Sequence, residues 1–411
     1  MHRCWLVFLN VFLLAFLPAA SAAQDAPEGL NKEILDRIPQ RMKHFVDDHT
    51  VAGMVTLIAH HGKIAQIDAE GMADIEANRP MRKDSVFQIM SMTKPVTAVA
   101  IMMLAEEGKL ALRDPVERFL PEFHDQRVTA TTGPDASRLG APMRPINVRD
   151  MMTHTSGMFD APANEIKGYS QQMNTSLADL VRVFARQPLL FQPGTQWSYS
   201  SPGIDILGRI IEVCSGLKYE DFVERRILKP LGMKDSFFYP KPEQIARIAM
   251  VYEGRDGKLT RSPGTILGGD PAKYRHAAIY PAPSWGLYST AEDLLHFYRM
   301  MLDGGIYNGL RYLSRFSVNL MTEVHTGDLT RSGWLGGAAY GLAWEVVKDP
   351  FGELAGHTKG TYGHGGAFGT QGWIDPNNGL IRIMLIQRSN GGTESLRDTF
   401  MTMAEAAVST R

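Results

Sequence analysis

The chain is short of cysteine. Its 411 residues include only Cys4 and Cys214, and Cys4 sits in an N-terminal segment that reads as cleavable. No intrachain disulfide is then possible, and the fold must be held by its core. Net charge is lacking too: the formal value is −1, with no basic cluster, which argues against a nucleic-acid binder. No spaced set of His, Cys, Asp or Glu completes a metal site, and no cofactor is called for. There is no Gly-x-Ser-x-Gly elbow, which a Ser-His-Asp hydrolase of the α/β type would need. Internal repeats and low-complexity tracts are missing as well. Cys214 lies on the stripe Ile206, Leu207, Ile210, Ile211, Cys214 of an expected helix and reads as a buried structural thiol, not a nucleophile.

What remains is ordinary globular material, 44% hydrophobic and 21% charged, with enough chain for a large core. The first residues, "MHRCWLVFLNVFLLAFLPAASAAQ", read as a secretory signal over residues 1–22. Arg3 marks the n-region, Trp5–Leu17 is the apolar stretch, and Ala20-Ser21-Ala22 offers a small-x-small cleavage site. The apolar stretch is shorter than the roughly 18 residues a membrane span requires. The expectation is a periplasmic or secreted protein without a membrane span after cleavage.

Helical spacing at Ile34, Ile38, Met42 and Phe45 predicts a helix, followed by a β-hairpin turning at His61-Gly62. His60 and His61 read as solvated turn residues. The middle of the chain is helical in character; Ser289 with Glu292 matches a capping box, and Gly216 marks a helix end. Thr129–Pro145 and Tyr252–Trp285 lack periodicity and read as long loops, of the sort that form lids or substrate walls. Strands return from about residue 338, with Asn377-Asn378-Gly379 as a hairpin turn. Strands at both ends and helices between predict an α+β fold: a mainly antiparallel sheet lobe at about 28–85 and 335–411, and a helical lobe inserted at about 86–334.

"FQIMSMTKPVTAVAIMMLAEEGKL" carries the chemistry. No residue from Val96 to Leu104 is charged, so this helix is expected to be buried on most faces, and an unpaired ammonium at its mouth would be costly. Ser91 and Lys94 are i,i+3 neighbours, and Pro95 is tolerated in the first turn. A serine at the positive end of a helix, beside a lysine whose pKa is lowered by desolvation, has both a proton acceptor and a favourable field. The spacing alone is weak: Ser215-Gly216-Leu217-Lys218 repeats it, but there Gly216 breaks the helix. Two further elements give the first copy company. "GTQWSYSSPG" places Tyr199 and Ser201 in a polar loop just before a helix. "GTYGHGGAFGTQGWIDP" places His364-Gly365-Gly366 on a strand, where consecutive glycines admit a substrate close to the backbone and the Ala367 N–H is available as an oxyanion donor.

This ordered set resembles the serine β-lactamase and penicillin-binding-protein superfamily, most closely its class C-like branch. That branch includes class C β-lactamases, D-stereospecific peptidases and the family VIII carboxylesterases. "NVRDMMTHTSGM", "FQPGTQWSYSSPGIDILGRIIE" and "ILKPLGMKDSFF" carry the likeness through most of the chain. The resemblance implies a β-lactamase-like fold, with Ser91 as acylated nucleophile and Lys94 as proton acceptor. It gives Tyr199 a share in base work and leaving-group protonation, and makes the Ser91 and Ala367 N–H groups the oxyanion hole. Two positions depart from the pattern. Ser201 stands where asparagine is usual, and His364-Gly365-Gly366 replaces the Lys-Thr-Gly that anchors a substrate carboxylate. Lys359-Gly360-Thr361 is only a scrambled look-alike. A histidine is mostly neutral near pH 7, so a fixed cation is lost. The expected activity is a carboxylesterase on small esters, with a D-amino-acid peptidase, amidase or weak β-lactamase as the alternative. A non-catalytic sensor on the same fold would be expected to have lost Ser91, Lys94 or Tyr199.

Overall fold

A computed structural model describes residues 29–129, 139–160, 174–262, 279–329 and 336–409. The expected signal segment lies outside the described residues, as do 130–138 and 263–278 of the two long loops. Helix α1 (Lys32–Asp47) opens the described chain, capped by the Asn31 side chain, which accepts from Ile34 N. Its inward stripe is Leu35, Ile38, Met42 and Phe45. Leu35 replaces the expected Ile34 because the buried face begins one residue later.

Eight strands form one antiparallel sheet. From the N-terminal end come β1 (Gly53–His60), β2 (Lys63–Asp74) and β3 (Arg79–Pro80). From the C-terminal end come β4 (Ala338–Tyr340), β5 (Glu345–Val347), β6 (Tyr362–Gly365), β7 (Gln371–Asp375) and β8 (Leu380–Leu385). The order across the sheet is β4-β5-β6-β7-β8-β1-β2-β3, so the two ends of the chain meet where β1 pairs with β8, Val55 opposite Leu385.

Alternation along the central strands sorts side chains between two cores. Val55, Leu57, Ala59, Ile381, Ile383 and Leu385 face the helical lobe. Met54, Ile58, Leu380 and Met384 face α1 and the C-terminal helix Glu394–Ala406. Both faces are covered, which is why β1 is buried at every position. The buried helix expected after Ser91 is present as α2 (Thr93–Glu106), with Thr93 to Leu104 all buried. After α3 (Val148–Met152) and α4 (Leu177–Ala185) comes α5 (Ser201–Ser215), on which α2 packs and which ends at Gly216 with φ +71° as its glycine predicts.

Several local expectations change. His60 is not a solvated turn residue: it closes β1 at 5% exposure, and only His61 (φ 47°) and Gly62 (φ 74°) form the turn. The cap of helix Ala291–Leu302 is Thr290, which accepts from Asp293 N. Ser289 is held in a short strand with Tyr288, paired to Phe87 and Gln88, so the helix starts one residue past the expected box. Part of Tyr252–Trp285 is ordered as a hairpin, Tyr252–Arg255 with Lys258–Arg261. Its Asp256-Gly257 turn has φ of 50° and 70°, the left-handed pair that a two-residue hairpin turn requires, so this part of the expected loop is a strand pair. Cys214 is only half-buried; it is a free thiol, and burial raises its pKa.

Candidate active site

Ser91 lies in a 3₁₀ turn, Met90–Met92, immediately before α2. Met90 holds a left-handed φ of 52°, a conformation that costs a side-chain-bearing residue energy and persists only when its surroundings impose it. Those surroundings are visible. Thr93 Oγ1 donates to Met90 O at 2.7 Å, and the backbone N–H of Ile89 donates to Leu287 O at 3.1 Å. Thr370 Oγ1 donates to Ile89 O at 3.1 Å. The turn is thus clamped between the start of α2 and the loop after β6, and Ser91 is lifted partly into solvent at the clamp.

Lys94 is fully buried. Its ammonium donates to Ser91 Oγ at 3.0 Å, to the Ser284 carbonyl at 3.0 Å and to Ser201 Oγ at 3.4 Å, and lies 4.7 Å from the centre of the Tyr199 ring. Burial lowers its pKa to about 8, while the negative charges of Asp160, Asp205 and Glu345 work in the opposite direction. A tenth or so of the amine is therefore neutral near pH 7, and that fraction can accept a proton from the serine it touches. The second Ser-x-x-Lys copy has no such geometry. Lys218 is exposed, and Ser215 Oγ accepts from Leu217 N at 3.2 Å.

Tyr199 reaches the same centre, its hydroxyl hydrogen-bonded to Ser91. Burial, followed by the nearby Glu345 and Asp160, pushes its pKa well above that of a free phenol; the Ser91 hydrogen bond only partly offsets this. The group is a neutral hydroxyl at working pH. The loop that carries it is fixed from below by a residue the motif reading passed over. His154, fully buried and left-handed at φ 57°, accepts at Nδ1 from Ser200 N (3.2 Å), accepts at its carbonyl from Ser198 N (3.0 Å), and packs against the Tyr199 ring, tilted by 39° with the centroids 4.6 Å apart. Ser200 caps α5 by accepting from Gly203 N. Ser201, at the first position of α5, donates its backbone N–H to Asp160 at 3.1 Å.

His364, Gly365, Gly366 and Ala367 line the same cavity as Ser91, Tyr199 and Ser201, with a volume of about 420 Å³. Gly366 presses on the serine turn so closely that a Cβ would stand 2.5 Å from Ile89 O. His364 turns its ring nitrogens into the protein instead of offering them to a ligand. Nδ1 donates to Gly365 O at 2.6 Å and Nε2 accepts from the Tyr340 hydroxyl at 2.8 Å. Burial, and then the Lys94 charge, lower its pKa to about 3. Lys359 is exposed at the far end of β6, so the look-alike motif has no part in the cavity.

Other cavity residues carry no recognisable motif: Asp160, Glu345, Leu354, His357, Trp373 and Arg397. The Arg397 guanidinium is engaged by Glu353 (2.7 Å) and Asp398 (3.2 Å). Among the described residues no group of His, Cys, Asp and Glu side chains is arranged to hold a metal ion, and no helix is long and apolar enough to cross a membrane.

Comparison with known proteins places this geometry in context. The family described as Beta-lactamase matches residues 38–406. An uncharacterized protein of Mycobacterium tuberculosis is 35% identical over 369 residues, covering 86% of this chain and 90% of its own. The esterase EstB of Burkholderia gladioli is 29% identical over 378 residues, covering 85% and 91%. The solved structure of EstCE1, described as a hydrolase with promiscuous acyltransferase activity, superposes with a TM-score of 0.77 at 25% identity over 90% of this chain and 99% of that one.

Proposed function

The chain belongs to the beta-lactamase family and is a serine hydrolase, and on that premise we propose that it is an exported carboxylesterase acting on small esters through an acyl-enzyme on Ser91. The observation that carries this reading is the buried Lys94 amine, 3.0 Å from Ser91 Oγ with its pKa brought down to about 8. In the proposed cycle the neutral amine takes the Ser91 proton as Oγ attacks the ester carbonyl. The backbone N–H groups of Ser91 and Ala367 stabilise the oxyanion. The Tyr199 hydroxyl, bonded to Ser91, passes a proton to the departing alkoxide and is recharged from Lys94. Water then enters by the same relay in reverse, releasing the acid and restoring the serine. Export rests on the residue 1–22 pattern alone.

Preference for an ester over a β-lactam follows from what the cavity offers a carboxylate. His364 is neutral with both ring nitrogens engaged, and Arg397 is already paired with two acids. A missing charge-assisted hydrogen bond costs about 1.5–3 kcal/mol, roughly ten- to a hundredfold in binding. A neutral short-chain ester has no carboxylate to lose. The test is a substrate panel on purified protein with a fluorophosphonate label read by intact mass. Expected are one adduct, absent in Ser91→Ala, and p-nitrophenyl acetate or butyrate turned over well ahead of nitrocefin. Faster hydrolysis of benzylpenicillin or a D-Ala-D-Ala peptide than of any ester would refute the substrate class; an adduct on Ser215 would refute the site.

A further inference from the structure

One buried acid near the site has no part in the cycle above. Asp205 lies four residues after Ser201 on α5, one turn along, so both side chains share the face that looks toward α2. It is 2% exposed, in the run Ile204-Asp205-Ile206-Leu207 that is otherwise apolar and buried. A carboxylate so placed must be paired or hydrogen-bonded. Its Oδ1 accepts from the backbone N–H of Ser284 at 2.9 Å, and its Oδ2 accepts from the Tyr280 hydroxyl. The carbonyl of that same Ser284 accepts from the Lys94 ammonium at 3.0 Å.

The rest of this segment is anchored with equal care. Thr97, one turn after Lys94 on α2, donates to Pro283 O at 2.6 Å and bonds the Tyr219 hydroxyl at 2.7 Å. Gly208, three residues after Asp205, gives room for the Pro283 ring, which a Cβ there would strike. Residues 280–284 are thereby gripped from two helices, and the product of that grip is one carbonyl aimed at one amine.

We propose that Asp205 is a positioning residue for the base Lys94: by holding the Ser284 backbone it fixes where the amine sits beside Ser91, and its buried negative charge helps retain a proton there between turnovers. The proposal rests on the reading of Lys94 as the group that accepts the Ser91 proton. Other groups also face that amine. Asp160 comes from the loop after Val148–Met152 and Glu345 from β5, and both favour its charged form, as Asp205 does. The Tyr199 ring and the Ser91 and Ser201 hydroxyls complete the surroundings, with His154 and His364 held neutral by burial. Asp160 is exposed, so its influence is screened by salt; that of Asp205 is not. Burial raises the pKa of Asp205 to about 6, against its hydrogen bonds and Lys94, so it is charged throughout the range in which the lysine titrates.

The experiment is the pH dependence of kcat/KM for p-nitrophenyl acetate, with fluorophosphonate labelling of Ser91 followed in parallel, at low and high salt. In the wild type the acid limb is expected near pH 8. Asp205→Asn keeps the shape and the acceptor for Ser284 N but removes the charge, and should move the limb down by about one unit or more at both salt concentrations. Asp160→Asn should move it the same way at low salt, with a smaller shift at high salt. Should Asp205→Asn fail to fold, Tyr280→Phe serves: losing the donor that holds the Asp205 carboxyl down lets its pKa rise from about 6 toward that of Lys94, so part of the charge is lost while the lysine titrates and the limb should move down. A residue that merely packs would leave the limb in place. Folded Asp205→Asn, or Tyr280→Phe, with an unmoved limb overturns the proposal while a labelled Ser91 leaves the esterase reading standing. Wild-type protein that never labels at Ser91 overturns that reading and the proposal with it.

Discussion

Gly366→Ala is the smallest change that should disable the proposed site without touching a reacting group. The added methyl would stand 2.5 Å from the Ile89 carbonyl and 3.2 Å from the Met90 side chain, and closer still to Thr370 Oγ1, whereas ordinary contact begins near 3.4 Å. Ile89 O and Thr370 cannot yield independently, because Thr370 Oγ1 donates to Ile89 O and Gly366 N–H donates to Thr370 O at 2.8 Å. The loop must back away from the serine turn by about 1 Å, carrying Ala367 N–H with it. A misplacement of that size costs on the order of a hundredfold in rate, and loss of one oxyanion donor costs about 10²–10³ in kcat. The steric conflict itself should cost about 1–3 kcal/mol of stability. The assay is steady-state hydrolysis of p-nitrophenyl acetate beside a thermal melt. Expected is a kcat reduced at least a hundredfold, KM changed much less, and a modest fall in Tm. A folded Gly366→Ala enzyme with wild-type kcat would refute both the docking argument and the role given to Ala367.

Tyr199→Phe keeps the ring against His154 and removes only the hydroxyl, so turnover should drop about 10²–10⁴, as for loss of an acid–base group; near-wild-type rates in a folded variant would make Tyr199 a packing residue. Wild-type acylation of Ser91 should rise with pH, since only the neutral Lys94 amine accepts a proton and its pKa is about 8. Labelling rates should climb close to tenfold between pH 6 and 7 and level off above about 9; a limb near 6.5 would implicate a histidine, although burial holds both His154 and His364 below that range. Arg382 is fully buried, donating to Gly356 O at 2.7 Å and pairing with Glu405 at 3.0 Å. Arg382→Ala takes the guanidinium from Glu405, which keeps the Asn378 amide, and from that carbonyl, and should cost about 3–5 kcal/mol, read as a large fall in Tm; an unchanged melt would show that the pair is dispensable.

Features written into short stretches of chain were legible without the structure. The buried helix after Ser91 announces itself by its missing charges, the Asn377-Asn378-Gly379 hairpin by its turn residues, and the end of α5 by its closing Gly216. The α+β sheet built from both chain ends followed from the order of strand-like and helix-like patterns. Rejection of Ser215-x-x-Lys218 also needed only local reasoning, since Gly216 cannot continue the helix.

Other decisions belonged to tertiary contacts. His60 sits in a turn-like sequence, yet it is buried because Gly29 lies against its ring and Leu380, at the start of β8, pairs with it across the sheet. Whether His364 meets a ligand was decided by Tyr340, remote in sequence, which draws its free nitrogen inward. Asp160, Glu345 and Asp205 look like solvated or unremarkable acids in one dimension. They gain meaning only when the sheet and helices bring them around one amine. The physical reason is range: propensity, capping and periodicity act within a few residues, whereas desolvation and charge depend on everything within several ångströms, whatever its place in the chain. Adjacency in the chain is enough to put Ser91 and Lys94 at one helix mouth; only the packed fold sets how dry that mouth is and which charges surround it.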